Sequence, residues 1–447
     1  MSANKFYCAR IYVTHKCNSN CIFCDTHDKK YHGIGDMNLE IAKSLIRQLK
    51  DVGCQYIDFT GGEPTLNKNL PDMIDFAKEL GIKTEVTTNA TSGLTETLRS
   101  CATKARKLNI SLDTLNPECY KILRGVDKLD IVLDTIKKIV KIRAETGLTV
   151  PKLMTVVTGK NIEDLMKLTN FAADNRLEIY LNPMFSYGNI KFFAEEKLFD
   201  KLISYTFEPH VIIPIHFLEF LHDLRNTGRA PCRCGASENI LTFAANGQIM
   251  MPCYHAKERQ NIPWINLSKF ISGDEFQKYA TQRGNLTSCT QCSVTPYLGI
   301  AFSYHPNKYF YLQSFADRLE HVKRDLLNHL PHYEPPSKLL YLLKELLTVT
   351  RSLPFQDQDC PTTDCWQISE YMPHQFFDKI YSKSLSYLRP EFNNEAETIA
   401  NIPEFMLKLW IEYIRRKINP KHTRDVPDDI NWIKHYLTTL GKFNSSI

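Results

Sequence analysis

The sequence predicts an α/β fold built on a parallel sheet, followed by a small cysteine-rich unit and an all-helical extension. Three observations carry that prediction. Strand and helix patterns alternate through residues 1–184, five of the 14 cysteines gather between 232 and 304, and helical periodicity fills the chain beyond 305.

The alternating region resolves element by element. FYCARIYV at 6–13, rich in β-branched and aromatic residues, reads as a buried strand. Residues 39–52 put Ile41, Leu45, Ile46 and Leu49 on one helical face. QYIDFT (55–60) is the next strand, and a helix over 70–80 follows, with Pro71 near its start and Gly81 at its end. KTEVTT (83–88), LNISL (108–112), KLMTVV (152–157) and LEIYL (177–181) read as further strands, with helices fitting at 94–106, 128–145 and 161–174. Six strand–helix steps of roughly 30 residues with short connections imply a parallel sheet with helices outside. The pattern alone is compatible with a barrel or an open sheet. In both, chemistry belongs at the C-terminal ends of the strands.

Past residue 184 the rhythm stops. The expected organisation is a core at 1–190, a connector at 191–231, a cysteine-rich domain at 232–304 and a helical domain at 305–447. The last holds the periodic stretches 337–353 and 403–418.

Composition bounds the function. Hydrophobic residues make up 43% and charged residues 23%, values of an ordinary globular chain, which excludes wholesale disorder and a fibrous protein. Lys and Arg number 55 against 50 Asp and Glu, a net charge of +5, so nothing calls for a nucleic-acid partner. No apolar run approaches the ~20 residues that span a bilayer. The segment at 210–222 comes nearest, and it is short and interrupted by Glu219. The first residues lack the apolar region of a signal peptide, so a cytoplasmic location is expected. In such a reducing setting cysteines point to metal or redox chemistry rather than disulfides.

THKCNSNCIFCDTHD places Cys17, Cys21 and Cys24 within eight positions, directly after the first strand. Three thiolates on a short loop can converge on one inorganic centre. Four irons held by three cysteines would leave one iron with an open position, where a cofactor can bind and react. The plainer reading is a zinc site completed by His15 or His27. One βα unit later comes FTGGEPTL (59–66), whose Gly61 and Gly62 permit close backbone approach and whose Glu63 could accept from an ammonium group.

The C-x3-C-x2-C spacing, with Phe23 before the third cysteine, resembles the signature of the radical S-adenosylmethionine (radical SAM) superfamily, and Gly61, Gly62, Glu63 and Pro64 resemble its GGEP motif. The resemblance covers residues 5–184 and implies a partial (β/α)6 barrel. It further implies a [4Fe-4S] cluster on Cys17, Cys21 and Cys24, with S-adenosylmethionine on the open iron and its amino group held by GGEP. Reductive cleavage would give a 5′-deoxyadenosyl radical that abstracts hydrogen from a substrate, with a flavodoxin or ferredoxin as reductant. By the same strand-end logic Asn89, Ser111, Asp113 and Arg124 are candidate contacts to the cofactor. Asn161 could serve there or as a helix cap.

The second cysteine group is Cys232, Cys234, Cys253, Cys289 and Cys292, with gaps of 18, 35 and 2 residues from Cys234 onward. A C-x2-C pair with two distant cysteines can build a four-thiolate site for zinc or for iron and sulfur. Asn246-Gly247 suggests a hairpin that delivers Cys253. Behind a radical SAM core the segment resembles the SPASM and shorter twitch domains, which implies one auxiliary [4Fe-4S] cluster. Cys234, Cys253, Cys289 and Cys292 are the expected ligands, with Cys232 as spare or alternative. A small-molecule substrate is the first expectation, a ribosomally made peptide the second, and a zinc-stabilised interaction protein without turnover the third. Cys360 and Cys365 have no visible partner pair.

Overall fold

The computed structural model describes residues 8–25, 33–187, 196–228, 234–237, 240–302, 308–330, 333–353, 388–389 and 392–418. Cys232, His27, Cys360 and Cys365 lie outside the described residues. The chain divides into two compact units. One comprises Met1–Lys201 with Phe220–Ala301, and the other Leu202–Glu219 with Phe302–Ile447.

In the first unit six strands, β1 (Cys8–Thr14), β2 (Tyr56–Gly61), β3 (Lys83–Thr88), β4 (Lys107–Ser111), β5 (Lys152–Val157) and β6 (Ile179–Pro183), lie side by side in chain order. Every neighbouring pair is parallel. Between them run α1 (Leu39–Asp51), α2 (Leu70–Glu79), α3 (Glu96–Lys104), α4 (Pro117–Arg124), α5 (Leu129–Glu145) and α6 (Leu165–Asp174). Strand order that never reverses is the sign of a (β/α) barrel rather than a doubly wound sheet. The barrel is partial, because the outer edge of β1 pairs with another strand instead of β6.

That strand comes from the cysteine-rich region. The two-residue β7 (Val211–Ile212) belongs to the other unit. β8 (Ile240–Phe243) runs parallel to β1, β9 (Ile249–Met251) turns back antiparallel on β8, and β10 (Gln260–Ile262) pairs with β9. Residues expected as a separate domain at 232–304 therefore extend the core sheet. The expected connector is also divided, since Leu202–Glu219 groups with the helical unit.

The elements form for local reasons. Asn38 and Thr95 cap α1 and α3 by accepting from Ile41 and Leu98 amides, and Asn116 caps α4 with Pro117 at its first position. α1 buries Ala42, Leu45, Ile46 and Leu49, the face read from the sequence. Arg143, fully buried, donates to the carbonyls of Ala102, Ala105, Arg106 and Thr149, gathering otherwise orphaned acceptors between α3 and α5. Helix α4 was not expected, because an eight-residue segment is too short for periodicity to declare itself.

In the second unit long helices span Lys308–His329, Ser337–Arg351 and Glu395–Ile418. Trp410 is fully buried, with edge-on contacts to Phe315 at 6.2 Å and Tyr413 at 5.8 Å. Glu219, 3% exposed, receives both prongs of Arg351 at 2.8 Å and Lys308 Nζ at 3.0 Å. The last helix begins eight residues before the expected start at Pro403, which sits inside it. No helix among the described residues is long and apolar enough to cross a membrane.

Candidate functional site

Cys17, Cys21 and Cys24 occupy the loop that leaves β1 at its C-terminal end. Two neighbouring segments grip that loop through backbone bonds. On one side the amides of Gly62 and Glu63 donate to the carbonyls of Thr14 (2.9 Å) and Lys16 (2.8 Å). On the other, the amides of Asn20 and Ile22 donate to the carbonyls of Arg124 (2.9 Å) and Leu123 (3.1 Å). Both grips depend on glycine. A Cβ on Gly62 would stand 2.1 Å from the Lys16 oxygen, and one on Gly125, whose φ is +69°, 2.4 Å from the Asn20 oxygen. The glycines of the GGEP turn thus let it cross the cysteine loop, a role the sequence reading had assigned to approach of a ligand.

Glu63 is 1% exposed, and its carboxylate is engaged by the protein. Oε1 accepts from the Thr65 amide (3.1 Å), Thr65 Oγ1 (2.5 Å) and Thr88 Oγ1 (2.7 Å), and Oε2 accepts from the Asn89 amide (2.7 Å). Burial pushes this carboxyl upward, against the pull of those donors. This side chain, expected to face an ammonium group, ties the end of β2 to the end of β3. Pro64 opens the short 3-10 turn behind it.

Asn89 carries the connection onward. Its Nδ2 donates to Asn18 Oδ1 (2.8 Å) and Ser19 Oγ (3.1 Å) and lies 3.8 Å from Cys17 Sγ. Burial pushes the Cys17 thiol up to about 12, partly offset by the Ser19 amide. A ligand role therefore requires a metal to displace its proton.

Arg124 closes the other flank. Nη1 lies 3.7 Å from Cys21 Sγ, Nε is 2.5 Å from Asp113 Oδ2, and the guanidinium sits 5.3 Å from the Phe23 ring centroid. Asp113 is fully buried, and its Oδ1 accepts from the Val156 amide (2.8 Å). The carboxylate of this candidate cofactor contact meets Arg124 and β5. Ser111, partly exposed, ends β4. Asn161 caps nothing with its side chain, which bridges the carbonyls of Asp113 (2.8 Å) and Val156 (2.9 Å).

The second cysteine group assembles around β8 and β9. Cys253 lies two residues past β9, and burial pushes its thiol upward, with Cys234 and Cys292 adding to the effect. Cys234, Cys253 and Cys292 pack on one buried cluster of Tyr187, Ala236, Val294 and Tyr297. The Cys292 amide donates to the Cys289 carbonyl at 3.0 Å, which makes the C-x2-C pair one turn. A Ser186–Ser293 bond of 2.7 Å ties that turn to the segment after β6. Sequence reasoning passed over Tyr187, Tyr254 and His255. The last two immediately follow Cys253, which was the available signal.

The donor chemistry of both groups suits iron and sulfur. Each is rich in cysteine and partly withdrawn from solvent, and the first has a guanidinium and an amide directed at its sulfurs.

Comparison with known proteins agrees. Residues 11–172 match the profile of the Radical SAM superfamily. The probable GTP 3′,8-cyclase of Sulfolobus acidocaldarius is 35% identical over 188 residues, covering 40% of this chain and 56% of that protein. The probable GTP 3′,8-cyclase of Sulfurisphaera tokodaii is 34% identical over 200 residues, 42% of this chain and 60% of that one. The chain thus spans little more than half the length of these curated relatives. Among solved structures, Streptococcus suis SuiB bound to precursor peptide SuiA superposes with a TM-score of 0.50 at 20% identity, over 65% of this chain and 70% of that one. That likeness concerns the fold. Residues 11–172 belong to the radical SAM superfamily of enzymes, as the motifs around Cys17–Cys24 and Gly61–Pro64 imply.

Proposed function

We propose that this chain is a radical SAM enzyme acting on a small molecule, with an auxiliary iron–sulfur cluster on Cys234, Cys253, Cys289 and Cys292. The observation that carries the reading is the double grip on the Cys17–Cys24 loop by Gly62–Glu63 and Leu123–Gly125. Cys17, Cys21 and Cys24 would hold a [4Fe-4S] cluster with one open iron for S-adenosylmethionine, and that group when bound would supply the electron for reductive cleavage.

The chain's own residues prepare that chemistry. Glu63 and Asn89 brace the loop, so the three sulfurs keep one geometry through turnover. Arg124 sets a fixed positive charge beside Cys21. The Gly61–Pro64 turn, bonded to the cysteine loop, is assigned to the methionine amino group, and Ser111 to the ribose. Cys234, Cys253, Cys289 and Cys292 would hold a cluster that could accept the electron of the substrate radical. The relatives named for GTP 3′,8-cyclisation support a small-molecule substrate. A peptide substrate is the second reading, favoured by the additional helical unit, which offers surface for docking a partner chain.

Metal and sulfide analysis after anaerobic purification tests the reading. A brown preparation with about eight irons and matching acid-labile sulfide per chain is expected, as two four-iron clusters require. A colourless preparation with zinc and no sulfide would replace it with the zinc-stabilised interaction protein.

A further inference from the structure

The two cysteine groups are joined by a continuous run of aromatic rings. Tyr12, in β1, stacks on His15 at 5.6 Å and 14° and on Tyr254 at 4.3 Å and 15°. Tyr254 meets His255 edge-on at 4.9 Å. His255 in turn meets Tyr187 at 4.5 Å and Tyr297 at 5.8 Å.

Each end of the run is anchored to a cysteine segment. On the first side, His15 stands two residues before Cys17. Tyr254 Oη donates to Asp25 Oδ1 (3.3 Å), and Tyr187 Oη donates to the Phe23 carbonyl (3.1 Å), so hydroxyls fix both flanks of Cys24. On the second side, Tyr187 and Tyr297 pack against Cys234, Cys253 and Cys292. Tyr12, Tyr187, Tyr254 and Tyr297 are all buried, which keeps water out of the path. Aliphatic side chains would fill this space as well for packing alone. Rings in stacked and edge contact instead supply overlapping π systems, and their hydroxyls fix the register.

We propose that Tyr12, Tyr254, His255, Tyr187 and Tyr297 form the electron path between the two cysteine sites. The inference rests on the reading above that each site holds a [4Fe-4S] cluster. One electron moves: a reduced cluster at one site loses it and an oxidised cluster at the other gains it. No covalent bond forms or breaks, and no proton changes place. The rings act as positioning and coupling groups and hold no electron themselves.

The test uses the full chain loaded at both sites, mixed anaerobically with less dithionite than reduces both, and frozen at intervals. Electron paramagnetic resonance then follows redistribution between the two cluster signals. His255→Leu and Tyr254→Leu are expected to slow redistribution by at least an order of magnitude with iron content unchanged, whereas Tyr254→Phe, which keeps the ring, stays near the wild-type rate. Tyr187→Leu, remote from any cysteine in sequence yet in contact with both cysteine segments, gives the same slowing and serves where a variant beside Cys253 loses iron. Leucine variants that hold full iron and redistribute at the wild-type rate overturn the path. A wild-type chain with a single cluster overturns the two-site reading itself, and iron content alone identifies that failure.

Discussion

The Arg124 guanidinium lies 3.7 Å from the Sγ of Cys21. Its charge is held there from behind by Asp113, 2.5 Å from Nε, with both side chains almost wholly buried. A positive charge and N–H donor beside a cluster sulfur favour the reduced, more negative state. Arg124→Met should lower the midpoint potential of the first cluster by tens of millivolts, and Arg124→Lys, which keeps charge but not the planar fork, by less. Redox titration followed by electron paramagnetic resonance checks this. Identical potentials in all three proteins would remove Arg124 from the tuning role.

Gly62 has backbone as its nearest obstacle, so no side-chain rotation can relieve an added methyl group. Gly62→Ala should force the turn off the cysteine loop and empty the first site of iron while the second remains loaded. At Gly125 the positive φ adds strain of about 1–3 kcal/mol to the same overlap. Iron content and thermal unfolding of the two alanine variants measure both effects.

Glu63→Gln distinguishes a brace from a ligand contact. The amide replaces one acceptor oxygen with a donor that faces other donors, so a stability loss of about 1–3 kcal/mol is expected. A variant of wild-type stability that binds S-adenosylmethionine weakly would return Glu63 to the role read from its sequence motif.

Much of this was legible before the fold. The strands β1 to β6 and, α4 apart, the helices between them follow from periodicity, and the two motifs fall at strand ends because that is where βα loops gather. What escaped has physical causes. Nothing in the sequence distinguishes a glutamate that binds a ligand from one that binds Thr65, Thr88 and Asn89, because those donors come together only when β2 and β3 pair. The merger of the cysteine-rich region with the core depends on β8, four residues long, pairing with β1 across more than two hundred residues. The interposed α4 carries Arg124 in a turn whose end is set by Gly125, a signal that was present but too short to read.

In the helical unit Glu219 makes a pH prediction. Burial raises its carboxyl, but Arg351 and Lys308 outweigh it and hold the group below its ordinary value. A depressed folded-state value means the stabilisation is present above the unfolded value of about 4.3 and is lost as pH falls through the folded one. Glu219→Gln should therefore cost about 1.5–3 kcal/mol at neutral pH, and the gap to wild type should shrink under acid. Urea unfolding at the two pH values measures the gap. A gap that does not change with pH would show that the charge on Glu219 adds nothing.

The most direct measurement is formation of 5′-deoxyadenosine from S-adenosylmethionine by anaerobically reconstituted, reduced protein, compared with a variant in which Cys17, Cys21 and Cys24 are all Ala. The wild-type chain should release it, and the variant should release none while keeping the iron of its second site. Equal release by both proteins, or none from a fully loaded wild type, would contradict the account.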